Sequence, residues 1–241
     1  LIRGIRQGSS IPVAVVTNGS LLSRKDVRQD LEAADIVLCH LDAGNDRTMQ
    51  AINRPNQGID FATLLNGIIE FRREFKGHFW IQVTLIDGIN DSSEELADIA
   101  EAIEAIRPHK IFLLTPTRPP AEAWVRPPAR AALPMALTLL KRGEILDDRA
   151  DGKVEAPAGS DSRESLVTLA RRFPLTSGQA RELTNSWNEA GLPAKLVQEG
   201  VMCESDFAGR RFLVPVRSVQ SPGKGNKMAD GREYKNNQLI F

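Results

Sequence analysis

The chain has 241 residues, 41% of them hydrophobic, and its 31 Lys and Arg balance 31 Asp and Glu. That composition excludes disorder throughout and a disulfide-held miniprotein, and zero net charge gives no global pull toward nucleic acid or an anionic membrane. No apolar run reaches the roughly 18–20 residues of a spanning helix, and Leu1 to Ser10 lacks a signal-peptide apolar region, so a cytoplasmic protein without membrane association is expected.

In chain order, short apolar runs rich in β-branched residues alternate with longer amphipathic ones, the pattern of buried parallel strands joined by helices. Strands are expected over Ile11 to Thr17, Asp35 to Leu41, Phe79 to Ile86 and Lys110 to Thr115. Helices are expected over Ser23 to Ala33 with Ser23 as N-cap, Asp60 to Phe75 opened by Asp60, and Asp91 to Ile106, where Asp91, Ser92 and Ser93 offer capping oxygens. Right-handed crossovers put the C-terminal ends of parallel strands on one rim, where α/β folds build their sites. Four loops should meet there: Thr17 to Ser20, Leu41 to Asp46, Asp87 to Asp91, and Thr115 to Pro120. Four strands are too few for a closed barrel of about eight. With the first Met only at Met49, the chain is expected to be a processed product or a fragment lacking earlier strands.

Several rim residues carry chemistry, each with a plainer alternative. Asn18 and Gly19 form either a ligand contact or a common Asn-Gly turn. Asp42 and Asp46 are paired carboxylates, though Asp46 equally suits the start of a short helix. His40 is either a base or a packed strand histidine, and His78 and His109, at strand starts, are expected to be structural. Arg54, Arg118 and Arg126 suit a carboxylate or phosphate, or plain solvation. No Walker pattern, no Gly-x-Gly-x-x-Gly after a strand and no Gly-x-Ser-x-Gly elbow occurs, so nucleotide-dependent and triad chemistry have no support. An ordinary barrel lyase or aldolase would need a lysine or paired acids at a strand end; no lysine stands there, and only Asp42 and Asp87 come close.

A short helix is expected around Arg130 to Arg142, then a linker over 147–162. A second domain over 163–216 reads as helices over Glu164 to Phe173, Thr176 to Glu189 and Pro193 to Glu199, then a hairpin turning at Asp206 to Gly209: a winged-helix pattern. Arg171, Arg172, Arg181, Arg210 and Arg211 make it locally basic, which suits phosphate contacts or a protein partner. The segment 217–241, rich in Ser, Gly, Lys and Asn, is expected to be disordered.

The ordered series Thr17-Asn18-Gly19-Ser20-Leu21-Leu22, Leu41-Asp42-Ala43-Gly44, Ile52-Asn53-Arg54-Pro55, Leu85-Ile86-Asp87-Gly88-Ile89-Asn90-Asp91 and Thr115-Pro116-Thr117-Arg118-Pro119-Pro120 resembles the later strands of radical S-adenosylmethionine (radical SAM) proteins, nearest the iron–sulfur oxidoreductase branch related to wyosine-type tRNA-modifying enzymes. A C-terminal winged helix also occurs in that branch. The resemblance covers about residues 1–130. It implies an α/β fold, the later strands of a partial (β/α)6 TIM-like barrel over 1–146. It also implies a [4Fe–4S] cluster held by a CxxxCxxC loop, which reduces SAM to a 5′-deoxyadenosyl radical with the help of an electron donor. By the same likeness, Asn18, Gly19 and Asp42 lie near the ribose or methionyl part of SAM, and Ile86, Gly88, Asn90, Leu114, Thr115 and Pro116 flank the adenine. Arg54, Arg118 and Arg126 become substrate contacts, and a tRNA or protein becomes the macromolecular substrate.

The departures are as specific. Two cysteines cannot supply three thiolates, so no metal ligand and no catalytic residue is assigned and the cluster ligands are expected upstream. His40 stands where the family often has Ser. The expectation is a truncated radical SAM enzyme, inactive alone; the alternative is a non-catalytic module that binds nucleic acid or protein through its winged helix.

Overall fold

A computed structural model describes residues 1–120, 122–146, 152, 154 and 161–216. Most of the expected linker and all of the segment 217–241 lie outside the described residues. The chain divides into two compact units, the first made of Leu1–Pro116 with Arg126–Asp148, the second of Thr117–Val125 with the chain from Arg149 on.

The first unit holds helix α1 (Ile2–Gly8), strand β1 (Ala14–Thr17), α2 (Lys25–Leu31), β2 (Ile36–His40), α3 (Asp46–Ile52), α4 (Phe61–Glu74), β3 (His78–Thr84), α5 (Ser93–Ile106), β4 (Lys110–Leu114), α6 (Ala132–Leu140) and β5 (Gly143–Ile145). The sheet order is β1-β2-β3-β4-β5 and every pairing is parallel. Sequential order with right-handed crossovers winds all helices onto one face, as in barrels. Alternation along the strands follows: Val37, Cys39, Phe79, Ile81, Val83, Ile111 and Leu113 are buried beneath the helices, while Leu38, His40, Trp80, Gln82, Phe112 and Leu114 on the other face are half-buried. Phe71 of α4 joins this core, stacked on Phe75 at 4.9 Å and edge-on to Phe79 at 5.6 Å.

Capping explains where the helices start. Asp60 accepts from the Thr63 N–H and Ser92 from the Glu95 N–H, as the sequence predicts. For α2 the expected cap fails: Arg24 holds the N-cap position without a side-chain bond, and Ser23 lies one residue earlier. Asn45 caps α3 by accepting from the Thr48 N–H, so Asp46 is the first helical residue rather than the cap. In this unit three elements escape the sequence reading: α1, α3 as a full helix, and β5, whose three residues are too short to show a period.

In the second unit the order is α7 (Ser162–Arg172), β6 (Leu175–Thr176), α8 (Ser177–Ser186), α9 (Leu192–Gln198), β7 (Met202–Phe207) and β8 (Arg210–Pro215). The strands form an antiparallel sheet in the order β6-β8-β7. Thr176 and Gln179 make a reciprocal capping box on α8. Ala208 and Gly209 both take positive φ, 49° and 76°, the geometry of a two-residue hairpin turn with the native twist. Leu166, Ala170, Leu175, Ala180, Leu196, Met202 and Leu213 form a core of their own.

Candidate functional site

The first unit has a pocket of about 190 Å³ beyond the C-terminal ends of β1 and β2, lined among others by Asn18, Ser20, His40, Asp42, Asn53 and Arg54. The loop after β1 is held by its own side chains: Gly19 N–H donates to Thr17 Oγ1 at 3.1 Å, and Ser20 donates from its backbone N–H and its hydroxyl to Asn18 Oδ1 at 3.1 and 2.8 Å. The Asn18 amide NH₂ has no partner among the described residues and is available as a donor. Gly19 turns inward instead. At φ 73° it is buried, and an added Cβ would lie 2.8 Å from Cys39 Sγ, so this glycine serves close packing on β2 rather than approach to a ligand.

Asp42 is the most perturbed group in the pocket. Its carboxyl is buried and accepts the Thr84 N–H at 2.6 Å, with further hydrogen bonding from Asn53. Burial pushes its pKa above the ordinary aspartate range, while the Thr84 and Asn53 bonds and the charge of His40 pull the other way and lose. A buried acid that readily keeps its proton both donates and accepts, which suits a hydroxyl-bearing ligand.

The Asp42 loop is fastened from behind. Gly44 runs so close to α5 that a Cβ would sit 2.3 Å from the Asp98 carbonyl carbon. Buried Glu95 accepts from Thr48 Oγ1 at 2.6 Å and from Asn45 Nδ2 at 3.1 Å, and it pairs with Arg47. Asn45 Nδ2 also donates to Asp98 at 2.8 Å. Asn90 is the keystone: fully buried, it donates to the Asp42 and Thr84 carbonyls at 2.7 and 2.9 Å and accepts the Ile86 N–H at 2.7 Å. Expected to touch a ligand, Asn90 instead spends its amide on three backbone groups and acts as a positioning residue.

The other expected contacts divide. Arg54 lines the pocket at φ 44°, a left-handed conformation strained for a residue before proline. Ile86, Gly88, Leu114, Thr115 and Pro116 are not among the residues lining the pocket. Ile86 is buried, and the exposed Gly88 donates its N–H to Asp91 at 2.9 Å. Arg126 is exposed, and its carbonyl accepts the Asp87 N–H at 3.1 Å. Arg118 belongs to the second unit, where it donates to the Pro174 carbonyl at 2.7 Å and lies 5.8 Å over the Phe173 ring. Sequence reasoning passed over Ser20 and Asn53 as site residues. Asn53 follows α3 directly, and its place in the Asn53-Arg54-Pro55 run was the available signal.

A cluster finds no ligand set here. No group of three His, Cys, Asp or Glu is placed to hold a metal among the described residues. Cys39 is buried and its thiol is pushed up to about 12, by desolvation first and the Asp42 charge second; Cys203 lies in the second unit. This chain's own residues do not fit a [4Fe–4S] cluster, which needs three accessible thiolates.

No protein-family model matches the chain. Among curated proteins it is 28% identical over 221 residues to the UPF0026 protein MJ1312 of Methanocaldococcus jannaschii, covering 89% of this chain and 68% of that one. It is 32% identical over 119 residues to the UPF0026 protein slr1464 of Synechocystis, 49% of this chain and 44% of that protein. A 118-residue stretch is 50% identical to a protein named GTPase Obg from Brachyspira hyodysenteriae, of which the chain covers 17%. Similar solved structures are a domain of pyruvate-formate lyase-activating enzyme from Bacteroides vulgatus (20% identity, TM-score 0.48, 60% of this chain, 86% of that one) and a radical SAM methyltransferase from Sphaerobacter thermophilus (19%, 0.49, 57% and 40%). No helix among the described residues is long and apolar enough to cross a membrane.

Proposed function

We propose that the first unit carries the later β/α units of a radical SAM barrel and that its rim pocket holds the ribose or methionyl part of SAM. The observation carrying this reading is the pocket itself: Asn18 and Asp42, which the resemblance puts near SAM, line one cavity together with Arg54, expected as a substrate contact, although they come from separate loops. In that role the Asn18 amide donates to an oxygen of the ligand, and protonatable Asp42 meets a hydroxyl. Arg54 supplies a guanidinium for a carboxylate. When bound beside a cluster, SAM supplies a 5′-deoxyadenosyl radical. Since the residues here do not fit that cluster, the reading for this chain alone is binding without cleavage, with cluster, electron donor and macromolecular substrate belonging to a longer form.

The test is mapping SAM by NMR on the 241-residue chain, with iron content and 5′-deoxyadenosine release after anaerobic reconstitution. Shifts confined to the pocket residues, with iron below stoichiometric and no deoxyadenosine, support the reading. Stoichiometric [4Fe–4S] or deoxyadenosine release contradicts the statement that this chain is inactive alone.

A second reading rests on the second unit, whose order of helix, strand, two helices and hairpin supports the winged-helix expectation. Exposed Arg171, Arg172 and Arg181 have no ion-pair partner among the described residues, which favours a nucleic-acid or protein partner. RNA binding that weakens steeply with salt and ignores SAM would favour this reading over the first.

A further inference from the structure

At the edge of the sheet opposite the pocket, α4 and α5 end side by side, and between their ends lies a hollow of about 410 Å³ lined by Arg72, Arg73, Glu104 and Arg107. The arginines of this hollow have no carboxylate partner among the described residues. The acids on either side of them in α4, Glu70 and Glu74, are both taken by buried Arg28, at 3.0 and 2.9 Å. Arg72 Nε donates to the Arg107 carbonyl at 2.9 Å, which leaves the rest of its guanidinium fork open.

His109 supplies an independent observation. Its Nδ1 accepts the Phe79 N–H at 2.9 Å, so a neutral ring carries its proton on Nε2, and Nε2 stands 3.3 Å from Arg72 Nη2. In that tautomer two N–H donors stand 3.3 Å apart, an arrangement that a shared acceptor relieves. Desolvation first, then the Arg72 charge, lowers the His109 pKa, which favours the neutral ring. Two helix C-termini add roughly half a negative charge each, yet three guanidiniums against Glu104 leave the hollow cationic.

We propose that this hollow binds a phosphoryl group, held by Arg72, Arg73 and Arg107 with the His109 Nε2–H at its edge. The inference is independent of the SAM reading. Arg107 provides the variant that separates binding from folding. It sits at φ 56°, left-handed, just past the end of α5, where glycine is the favoured residue. Arg107→Gly thus keeps the carbonyl that holds Arg72, removes one guanidinium and relieves backbone strain.

The experiment is titration of the 241-residue chain with inorganic phosphate against chloride at matched ionic strength, following the His109 ring resonances by NMR. The expected result is saturable phosphate binding that shifts His109. Arg73→Ala and Arg107→Gly should each weaken it about fivefold, the latter with stability unchanged or raised. A second arm with short single-stranded RNA identifies the source: tighter, salt-dependent binding at the same residues assigns the group to a phosphodiester backbone, and binding no tighter than phosphate assigns a small phosphoryl ligand. Equal response to phosphate and chloride, or affinity unchanged in both variants, overturns the proposal.

Discussion

Asp42 lies in the pocket with its carboxyl shut away from water, and its raised pKa has a sign that stability measurements can read. The folded state holds the proton more tightly than the unfolded chain does. The resulting stabilisation is complete below the ordinary value of 3.8 and is lost as pH rises through the raised folded value. Asp42→Asn keeps an oxygen for the Thr84 N–H and removes the titration. Urea unfolding should therefore find the variant gaining on the wild type as pH rises through that window. Loss of ligand affinity alongside gained stability is the signature of a residue kept for binding. Asn90 should behave oppositely. Asn90→Ala strands one buried N–H and two buried carbonyls, and we expect a loss of roughly 2–4 kcal/mol in urea denaturation. The sequence showed the Asp42–Asn90 relation only as two members of an ordered series. Their different duties emerge from burial, because an asparagine spent on backbone and one facing a ligand look identical in sequence.

Elements built on capping were legible and those built on tertiary contact were not. Asp60, Ser92 and Thr176 announce their helices through oxygens placed for the first turn, and α4, α5 and α8 begin there. Strands β2, β3 and β4 were legible from β-branched runs, with ends off by at most two residues. By contrast, β1 is expected from Ile11 but pairs only from Ala14, since Ile11 is 74% exposed and outside the ladder. The clasp between the Asp42 loop and α5 left no local signal except Gly44. That glycine yields the element-scale prediction: in Gly44→Ala the Cβ meets α5 backbone, which cannot swing aside as a side chain would. A loss of about 2–3 kcal/mol is expected by thermal unfolding, with weaker ligand binding because the Asp42 loop shifts with it.

For the whole molecule, alternating strand and helix patterns correctly give a parallel α/β unit, and the sequential order of five strands makes it singly wound like a barrel. The fifth strand was missed because its register partners, Ile111 to Leu113, supply the burial that its own three residues do not. Two units with separate hydrophobic cores should unfold separately. Calorimetry is expected to resolve two transitions, of which Asn90→Ala lowers one and Leu166→Ala the other. On the proposed reading, the purified chain binds SAM through the rim pocket and not through either cysteine. The most direct test is calorimetric titration of SAM into the purified chain, alongside Asp42→Ala and, as a control on the opposite edge of the sheet, Arg107→Gly. We predict saturable binding by the wild type, unchanged in Arg107→Gly and weakened about tenfold or more in Asp42→Ala. Absence of binding, or equal binding by all three proteins, would contradict it.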